Sequence, residues 1–277
     1  MDGRLSVSGL CFPDEDLAGQ LARLALLGAR TTSLRAGVLR EFGWAEALEL
    51  VRSTGPSVAA LIDSPRVDLG DPSTWAAGRA QLTQAVDGAA ELSAPTVYMV
   101  TGARTGLTWV DSADAFREAT APVVAHAMDR GVRLAVEATN PLYSDISFLH
   151  TASAAFRLAE RCGMAVCLDL FHVWTDWDLL DEIARAPERI AMVQVSDHVP
   201  GDRSFPCRAV PGDGAVPLAE LLAAVTASGY EGVFDLELSG PRIDAEGHVD
   251  AARRGLGALG ALLGRDSAAV SDRGAAG

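Results

Sequence analysis

The chain has 277 residues, of which 49% are hydrophobic and 22% charged, and these proportions are those of an ordinary globular protein. Its formal net charge of −14 disfavours binding to nucleic acid or to an anionic membrane surface. All 23 basic residues are arginines, which excludes Schiff-base aldolases, pyridoxal-phosphate enzymes and Walker P-loop nucleotidases, because each of these classes needs a lysine amine.

Short apolar runs alternate with longer helical patterns along the whole chain. The runs that predict strands are 5–8, 31–34, 57–62, 96–100, 133–137, 165–169, 190–196 and 232–238. The patterns that predict helices are 14–27, 42–53, 74–92, 112–130, 151–163, 177–186, 217–228 and 244–263. Glycines that suit left-handed helix caps follow four of these helices, at Gly28, Gly131, Gly163 and Gly229.

Eight strand–helix units without a Pro/Gly-rich linker predict an α/β protein, a single (β/α)8 TIM barrel over residues 1–263. Residues 264–277 are small, polar and aperiodic, and they predict a flexible tail. A doubly wound open sheet is the alternative, and it is weakened because no GxGxxG motif follows the first strand.

The compartment is indicated by the cysteines and by the absence of targeting patterns. The four cysteines are scattered without a CxxC pair, which favours reduced thiols. No basic and apolar export signal is seen near the start, and no apolar run approaches the ~20 residues of a membrane helix. We therefore expect a cytoplasmic protein.

Each of the last four predicted strands ends with a polar side chain in the inward register. Alternation within the strands turns Glu137, Asp169, Gln194 and Glu237 to the same side. In a TIM barrel these strand ends form the C-terminal rim, where functional residues gather. Three carboxylates at one mouth repel one another unless a cation lies between them, and this oxygen-rich set suits Mg²⁺ or Mn²⁺. Each residue alone also suits a loop cap, an arginine partner or a core amide.

Five segments carry a resemblance to a known family. They are EATNP at 137–141, LDLFHVW at 168–174, VQVSD at 193–197, RAVPGDGAVPL at 208–218 and LEL at 236–238. These segments resemble the xylose-isomerase-like barrels, a family that includes hydroxypyruvate isomerase, inosose isomerase and tagatose-type 3-epimerases. The resemblance is strongest over residues 133–263 and only architectural before them.

The resemblance implies a site at the rim. Glu137, Asp169, Gln194 and Glu237 would bind one divalent metal ion, Mn²⁺ or Mg²⁺, while His172 and Arg208 would hold substrate oxygens. Most family members have His at the position of Gln194, although the hydroxypyruvate isomerase pattern also has Gln. His198 is therefore an alternative metal ligand.

This site predicts an isomerase or epimerase of a ketose, keto-acid or oxidised cyclitol, in which Glu137 and Glu237 exchange a proton with the substrate through a metal-bound enediolate. Arg208 would clamp a substrate oxygen, with a salt bridge to Asp213 as the alternative. His172 would hydrogen-bond another substrate oxygen, or alternatively a core group.

Two further residues are candidate substrate contacts. Asn140 would bond a substrate hydroxyl or orient Glu137, with turn formation before Pro141 as the alternative. Trp109 would stack on a sugar ring, or it would pack between loops.

Three competing functions stay open. The first is a metal-dependent dehydratase of a cyclic hydroxy-ketone such as inosose or dehydroshikimate. The second is a DNA-repair endonuclease, which five histidines and the negative charge disfavour. The third is a metabolite-binding barrel without catalysis. The expected partner is a small polyhydroxylated carbonyl compound, with an uncharged polyol favoured over a sugar phosphate, and a homo-oligomer is left open.

Overall fold

The computed structural model describes residues 3–65 and 67–274, with side chains described up to residue 264. Its strands are β1 (Leu5–Ser8), β2 (Thr31–Arg35), β3 (Ser57–Ile62), β4 (Thr96–Met99), β5 (Arg133–Glu137), β6 (Ala165–Asp169), β7 (Ile190–Val195) and β8 (Phe234–Leu236). Every predicted strand is present. The strands predicted over 96–100, 190–196 and 232–238 are shorter in the structure, because their end residues already belong to loops.

The helices follow the strands around the barrel. They are α1 (Leu17–Leu27), α2 (Ala36–Phe42), α3 (Trp44–Thr54), α4 (Trp75–Glu91), α5 (Trp109–Asp129), α6 (Ala152–Cys162), α7 (Leu170–Val173), α8 (Leu179–Arg185), α9 (Leu218–Ala227), α10 (Pro241–Glu246) and α11 (His248–Gly274). The four predicted cap glycines have φ values between 64° and 88°, so their left-handed conformation is confirmed. Helix α5 begins three residues earlier than predicted, because Thr108 caps it by accepting the backbone N–H of Asp111.

The sheet is a closed barrel in which each strand pairs in parallel with the next and β8 pairs with β1. This topology confirms the predicted (β/α)8 barrel and is incompatible with the open-sheet alternative. The tail predicted over residues 264–277 overlaps the end of α11, and its flexibility stays a prediction; residues 275–277 lie outside the described residues. In the described part of the chain, no helix is both long enough and apolar enough to span a bilayer.

The buried residues form two layers, as the strand alternation predicts. The larger layer lies between strands and helices and contains the residues predicted to point outward, such as Val136, Leu168, Val195 and Leu236. The smaller layer fills the barrel interior, and its members are Ala60, Tyr98, Ala135, Ala165, Cys167 and Met192. Because several of these are alanines, the interior is filled by small side chains, and the polar groups lie above them at the carboxyl ends of the strands.

Candidate active site

Four polar side chains from the last four strands lie inside the barrel at the carboxyl ends of those strands. They are Glu137, Asp169, Gln194 and Glu237, and each is at most 8% exposed. Parallel pairing aligns Asp169 with Gln194 and sets Glu137 beside Cys167 in the next strand. The structure therefore brings together the four side chains that the sequence predicts as metal ligands.

The Arg208 guanidinium lies between two of these carboxylates. Its Nη2 is 2.6 Å from Asp169 Oδ2 and 2.7 Å from Glu237 Oε1, and its Nη1 donates to the Ser196 hydroxyl at 3.0 Å. Its Cζ lies 4.5 Å from the centre of the Phe171 ring. Arg208 is thus a buried cation that links the ends of β6 and β8.

The alternative partner of Arg208, Asp213, lies elsewhere. Asp213 accepts hydrogen bonds from both Nη atoms of Arg254 on α11, each at 2.7 Å. The salt bridge offered as an alternative between Arg208 and Asp213 is therefore wrong. Its failure has a physical reason: Ala209 pairs with Asp197 beside β7, which turns Arg208 inward, while the following turn carries Asp213 toward α11.

The segment that carries Arg208 is held by Asp197, two residues after the end of β7. Each carboxylate oxygen of Asp197 accepts two backbone N–H groups, at 2.8 to 3.0 Å. The four donors are those of His198, Gly212, Gly214 and Val216. The backbone of Asp197 also exchanges two hydrogen bonds of 2.8 Å with Ala209, the residue after Arg208. A buried carboxylate therefore fixes both ends of this loop.

Replacing Asp197 by asparagine is expected to damage the loop although the side chain keeps its size. Both oxygens accept two N–H groups, so in either orientation the new amide nitrogen faces donors and two hydrogen bonds to a charged group are lost. We expect the free energy of unfolding to fall by about 3 kcal/mol or more, measured by urea denaturation. Asp250→Asn, at a side chain that is 72% exposed, is the control and should change it by less than about 0.5 kcal/mol. An unfolding free energy equal to that of the wild type would contradict this role of Asp197.

His172 lies beside the carboxylates as a neutral imidazole. Burial lowers its pKa to about 4, although Asp169 opposes the shift. Its Nδ1 accepts the backbone N–H of Asn140 at 3.2 Å, so the proton of the neutral ring is on Nε2. That Nε2 lies 3.6 Å from Asp169 and 3.7 Å from Glu137, and the Tyr143 ring packs edge-on against the imidazole. The Nε2–H group of His172 therefore lies beside the carboxylates of Asp169 and Glu137.

Gln194 is held in one orientation by its neighbours. Its Nε2 donates to the Tyr98 hydroxyl at 2.9 Å and to Glu237 Oε2, while its Oε1 accepts from the Cys167 thiol at 3.0 Å. The amide nitrogen, and not the oxygen, thus faces Glu237. For Gln194 to bind a metal ion, its amide has to turn so that the oxygen, in place of the nitrogen, faces Glu237.

The carboxylates carry more negative charge than Arg208 balances. Burial, together with Asp169 and Glu237, raises the pKa of Glu137 well above its ordinary value. Burial likewise raises the pKa of Glu237 to about 7 despite Arg208, and that of Asp235, one inward position below, to about 6. Three carboxylates facing one guanidinium leave an excess of two negative charges when all are ionised.

This excess charge and the available donors fit a divalent cation. In the described residues, no hydrogen bond to the Glu137 carboxylate is found, although the residue is only 8% exposed. Ligand atoms of Glu137, Asp169 and His172 lie within 4.8 Å of one another. Because His172 Nε2 carries a proton, we favour the carboxylates as ligands and His172 as a hydrogen-bond donor. The remaining donors are oxygens, which magnesium and manganese prefer.

Asn140 and Trp109 are occupied by local packing. The Asn140 side chain accepts the backbone N–H of Leu142 at 3.0 Å, as expected of a turn-forming residue. Trp109 is 42% exposed at the start of α5, and its ring packs edge-on against Phe148 at 5.3 Å. The structure gives Asn140 a contact to His172 through its backbone, and it places Trp109 in contacts outside the carboxylate cluster.

His198, the alternative ligand, lies in the loop after β7. Its Nδ1 is 3.6 Å from the Cys207 thiol, and its ring lies 6.4 Å from that of Trp174. Within the described residues, the group that brings metal-binding atoms together contains Glu137, Asp169 and His172, and it does not include His198.

Several residues of the site were not identified from the sequence. Asp235 and Ser196 lie two positions from Glu237 and Gln194, so the same strand alternation identifies both as inward-facing. Tyr98 lies on β4 and contacts Gln194 across the barrel, and no local pattern indicates this contact. The role of Asp197 depends on a loop whose conformation only the structure gives.

Comparison with known proteins agrees with the barrel fold. A curated protein of Streptomyces coelicolor, named "Putative hydroxypyruvate isomerase", is 32% identical over 170 residues, which are 57% of this chain and 58% of that protein. The chain thus matches less than two thirds of that relative's length. A solved structure of a protein from Sinorhizobium meliloti 1021 superposes with a TM-score of 0.78 at 26% identity, covering 85% of this chain and 89% of that one.

Two more distant structures share the fold. The IolI protein with a bound zinc atom has a TM-score of 0.79 at 16% identity, covering 95% and 98% of the two chains. An L-ribulose 3-epimerase has a TM-score of 0.79 at 18% identity, covering 97% of each chain. A sequence model described as a xylose isomerase-like TIM barrel matches residues 21–260. The chain therefore belongs to the xylose isomerase-like TIM barrel family.

Proposed function

We propose that this protein is a divalent-metal-dependent isomerase or epimerase of a small hydroxy ketone. The observation that carries the proposal is the pair of buried carboxyl groups of Glu137 and Glu237, whose pKa values are both raised beside a third carboxylate. A carboxyl group whose pKa is raised holds a proton more readily than an ordinary carboxylate, and it can both take up and return one in such a reaction. Membership of a family that includes relatives named as an isomerase and an epimerase supports the same class of reaction.

The proposed cofactor is one Mn²⁺ or Mg²⁺ ion held by Glu137, Asp169, Gln194 and Glu237. When bound, such an ion polarises a carbonyl and the neighbouring hydroxyl, which makes the C–H bond between them more acidic. The zinc atom bound in the IolI structure, which has the same fold, supports a divalent ion as the cofactor. The oxygen-only donor set is the reason to prefer manganese or magnesium here.

Each residue of the site has a proposed part in the proton transfer. Glu137 ends strand β5 and Glu237 follows strand β8, and one of them removes the proton from the substrate carbon while the other returns it. His172 donates its Nε2–H to a substrate oxygen, and the backbone of Asn140 fixes that ring. Arg208 holds two of the carboxylates in place and binds a substrate oxygen. Trp109 remains a proposed contact for a substrate ring.

Proton exchange with solvent tests this proposal. We expect the Mg²⁺-loaded protein in D₂O to incorporate deuterium next to the carbonyl of at least one of hydroxypyruvate, L-ribulose and an inosose, with no loss of water. Proton NMR follows the exchange, and a parallel sample treated with EDTA should show none. A new ultraviolet-absorbing enone would instead indicate a dehydratase. Substrates that stay unlabelled with every divalent ion tested would contradict an isomerase.

A further inference from the structure

Arg35 ends strand β2 with its side chain in the inward register. Ser33, two residues earlier, donates its hydroxyl to Asp235 inside the barrel, while Leu34 packs in the outer layer. Arg35 therefore turns inward by strand alternation. Its parallel partner on β3, Ile62, packs against the interior cluster, which places Arg35 on the same face by a second route.

The guanidinium of Arg35 lacks the partners that other buried or partly buried arginines of the chain have. Its Nε is buried without a hydrogen-bond partner, and no ion pair of Arg35 is found in the part of the chain that the structure describes. By contrast, Arg208 contacts two carboxylates, and Arg40 forms a two-point pair with Asp63 at 2.6 and 3.1 Å. A buried donor without a partner is costly, so a ligand that pairs with it gains affinity.

Arg35 and Glu237 lie near each other at the rim, because the residues two positions before them, Ser33 and Asp235, are hydrogen-bonded to each other. Ser33 and Asp235 contact each other at 2.6 Å, and each lies one inward position below Arg35 and Glu237 respectively. The two strands are separated only by β1, so their axes are roughly 10 Å apart at the ~4.8 Å spacing of neighbouring strands. A substrate of three or four carbons can therefore contact Arg35 at one end and the carboxylate cluster at the other.

Part of the usual phosphate site of a TIM barrel is already occupied in this protein. Such sites use backbone N–H groups of the loops after the seventh and eighth strands. In the loop after β7, the N–H groups of Gly212, Gly214 and Val216 are already bonded to the Asp197 carboxylate. These three N–H groups are therefore not available to bind a phosphate, and Arg35 offers a single guanidinium. A carboxylate with one negative charge matches Arg35 better than a phosphate does.

We propose that Arg35 binds a carboxylate of the substrate, so that the substrate is a short hydroxy-keto acid and not a neutral ketose. This inference rests on the proposed function. Of the three expected substrate classes, a ketose, a keto-acid and an oxidised cyclitol, it selects the keto-acid. For the smallest such acid, HOCH₂–CO–COO⁻ becomes OHC–CH(OH)–COO⁻. One C–H proton leaves the hydroxyl-bearing carbon and one returns to the former carbonyl carbon. The hydroxyl proton passes from the first oxygen to the former carbonyl oxygen, and no oxidant is needed.

The binding of two compounds that cannot react tests the role of Arg35 separately from catalysis. D-glycerate and glycerol differ only by a carboxylate in place of CH₂OH, and neither has a carbonyl to isomerise. Isothermal titration of the Mg²⁺-loaded protein should show D-glycerate binding about 10- to 100-fold more tightly than glycerol, and Arg35→Gln should remove this difference. Arg35→Lys should restore part of it, and Arg52→Gln, on the exposed side of α3, should leave it unchanged. Equal binding of both compounds by the wild type would overturn the inference.

Turnover of three matched ketones tests whether Arg35 recognises a carboxylate or a phosphate of the substrate. Hydroxypyruvate, dihydroxyacetone and dihydroxyacetone phosphate share HOCH₂–CO and differ in the third group. We expect exchange of hydroxypyruvate in D₂O to be fastest, and Arg35→Gln to lower its kcat/KM about 100-fold while changing that of dihydroxyacetone less than about threefold. Preference for the phosphate, or an equal loss with both other ketones, would refute the assignment. If no ketone exchanges but D-glycerate binding still depends on Arg35, the proposed function fails and the carboxylate site stands.

Discussion

Replacing Glu237 or Glu137 by glutamine is expected to lower kcat by about 10²–10⁴-fold, the range that general acid–base catalysis contributes. Glutamine keeps the shape of the side chain but cannot exchange a proton. Glu137 ends strand β5 and Glu237 directly follows strand β8, and both are buried near Asp169. Steady-state turnover of the substrate found by deuterium exchange, at saturating Mg²⁺, provides the measurement.

Loss of proton transfer must be separated from loss of the metal. Titration calorimetry with Mn²⁺ measures the metal affinity of each variant, so that turnover can be compared at the same occupancy of the metal site. Glu49→Gln, an exposed change of the same chemistry on α3, is the matched control and should keep full activity. Turnover close to that of the wild type in both glutamine variants would refute the proton-transfer pair and would favour a barrel that only binds its metabolite.

Metal-free protein should lose stability as the pH rises from about 4.5 to about 7. The folded state raises the pKa of Glu237 from 4.5 to about 7 and that of Asp235 from 3.8 to about 6, chiefly through burial. In this interval Glu237, Asp235 and Glu137 bind more protons in the folded protein than in the unfolded chain, whereas His172, whose pKa burial lowers to about 4, acts in the opposite direction. The three carboxyl groups outweigh the single imidazole, so the free energy of unfolding decreases with pH. The contribution is fully present below the unfolded pKa values and is lost above the folded ones. Urea denaturation in EDTA at pH 5 and pH 8 measures it.

A bound divalent ion should reverse this loss. At a free concentration of 100 times its dissociation constant, Mn²⁺ is expected to add about 2.7 kcal/mol to the free energy of unfolding at pH 8. The gain should be smaller at pH 5, where protons compete for Glu137 and Glu237. In Glu237→Gln the metal-free decline between the two pH values should be shallower than in the wild type. A gain from Mn²⁺ that is the same at both pH values would contradict a site built from these carboxylates.

The strands could be predicted because their sequences suit burial on both faces. Strands β5 and β6 have the same bounds in the structure as in the prediction, since each is a short apolar run of the kind that parallel barrels bury completely. The strict alternation of side chains then identified which polar residues face inward. The position of Glu137, Asp169, Gln194 and Glu237 at one rim follows from that periodicity alone.

The contacts among these residues could not be predicted in the same way. Arg208 lies in a long loop between β7 and α9 that has no periodicity, so its partners depend on how Asp197 folds the loop. The orientation of Gln194 is set by Tyr98, which lies 96 positions away in the sequence. Arg35 resembled any polar residue at a strand end, and only its missing partner in the described structure distinguishes it.

Strand β8 closes the sheet into a ring by connecting the last strand before it, β7, to the first strand, β1. It is only three residues long, and it pairs with β7 on one side and with β1 on the other. During translation, β1 and β7 therefore each keep an open backbone edge until Phe234–Leu236 have left the ribosome, and such edges invite pairing with other chains. Glu237 follows β8 directly, so the carboxylate cluster at the rim is complete only when the ring can close.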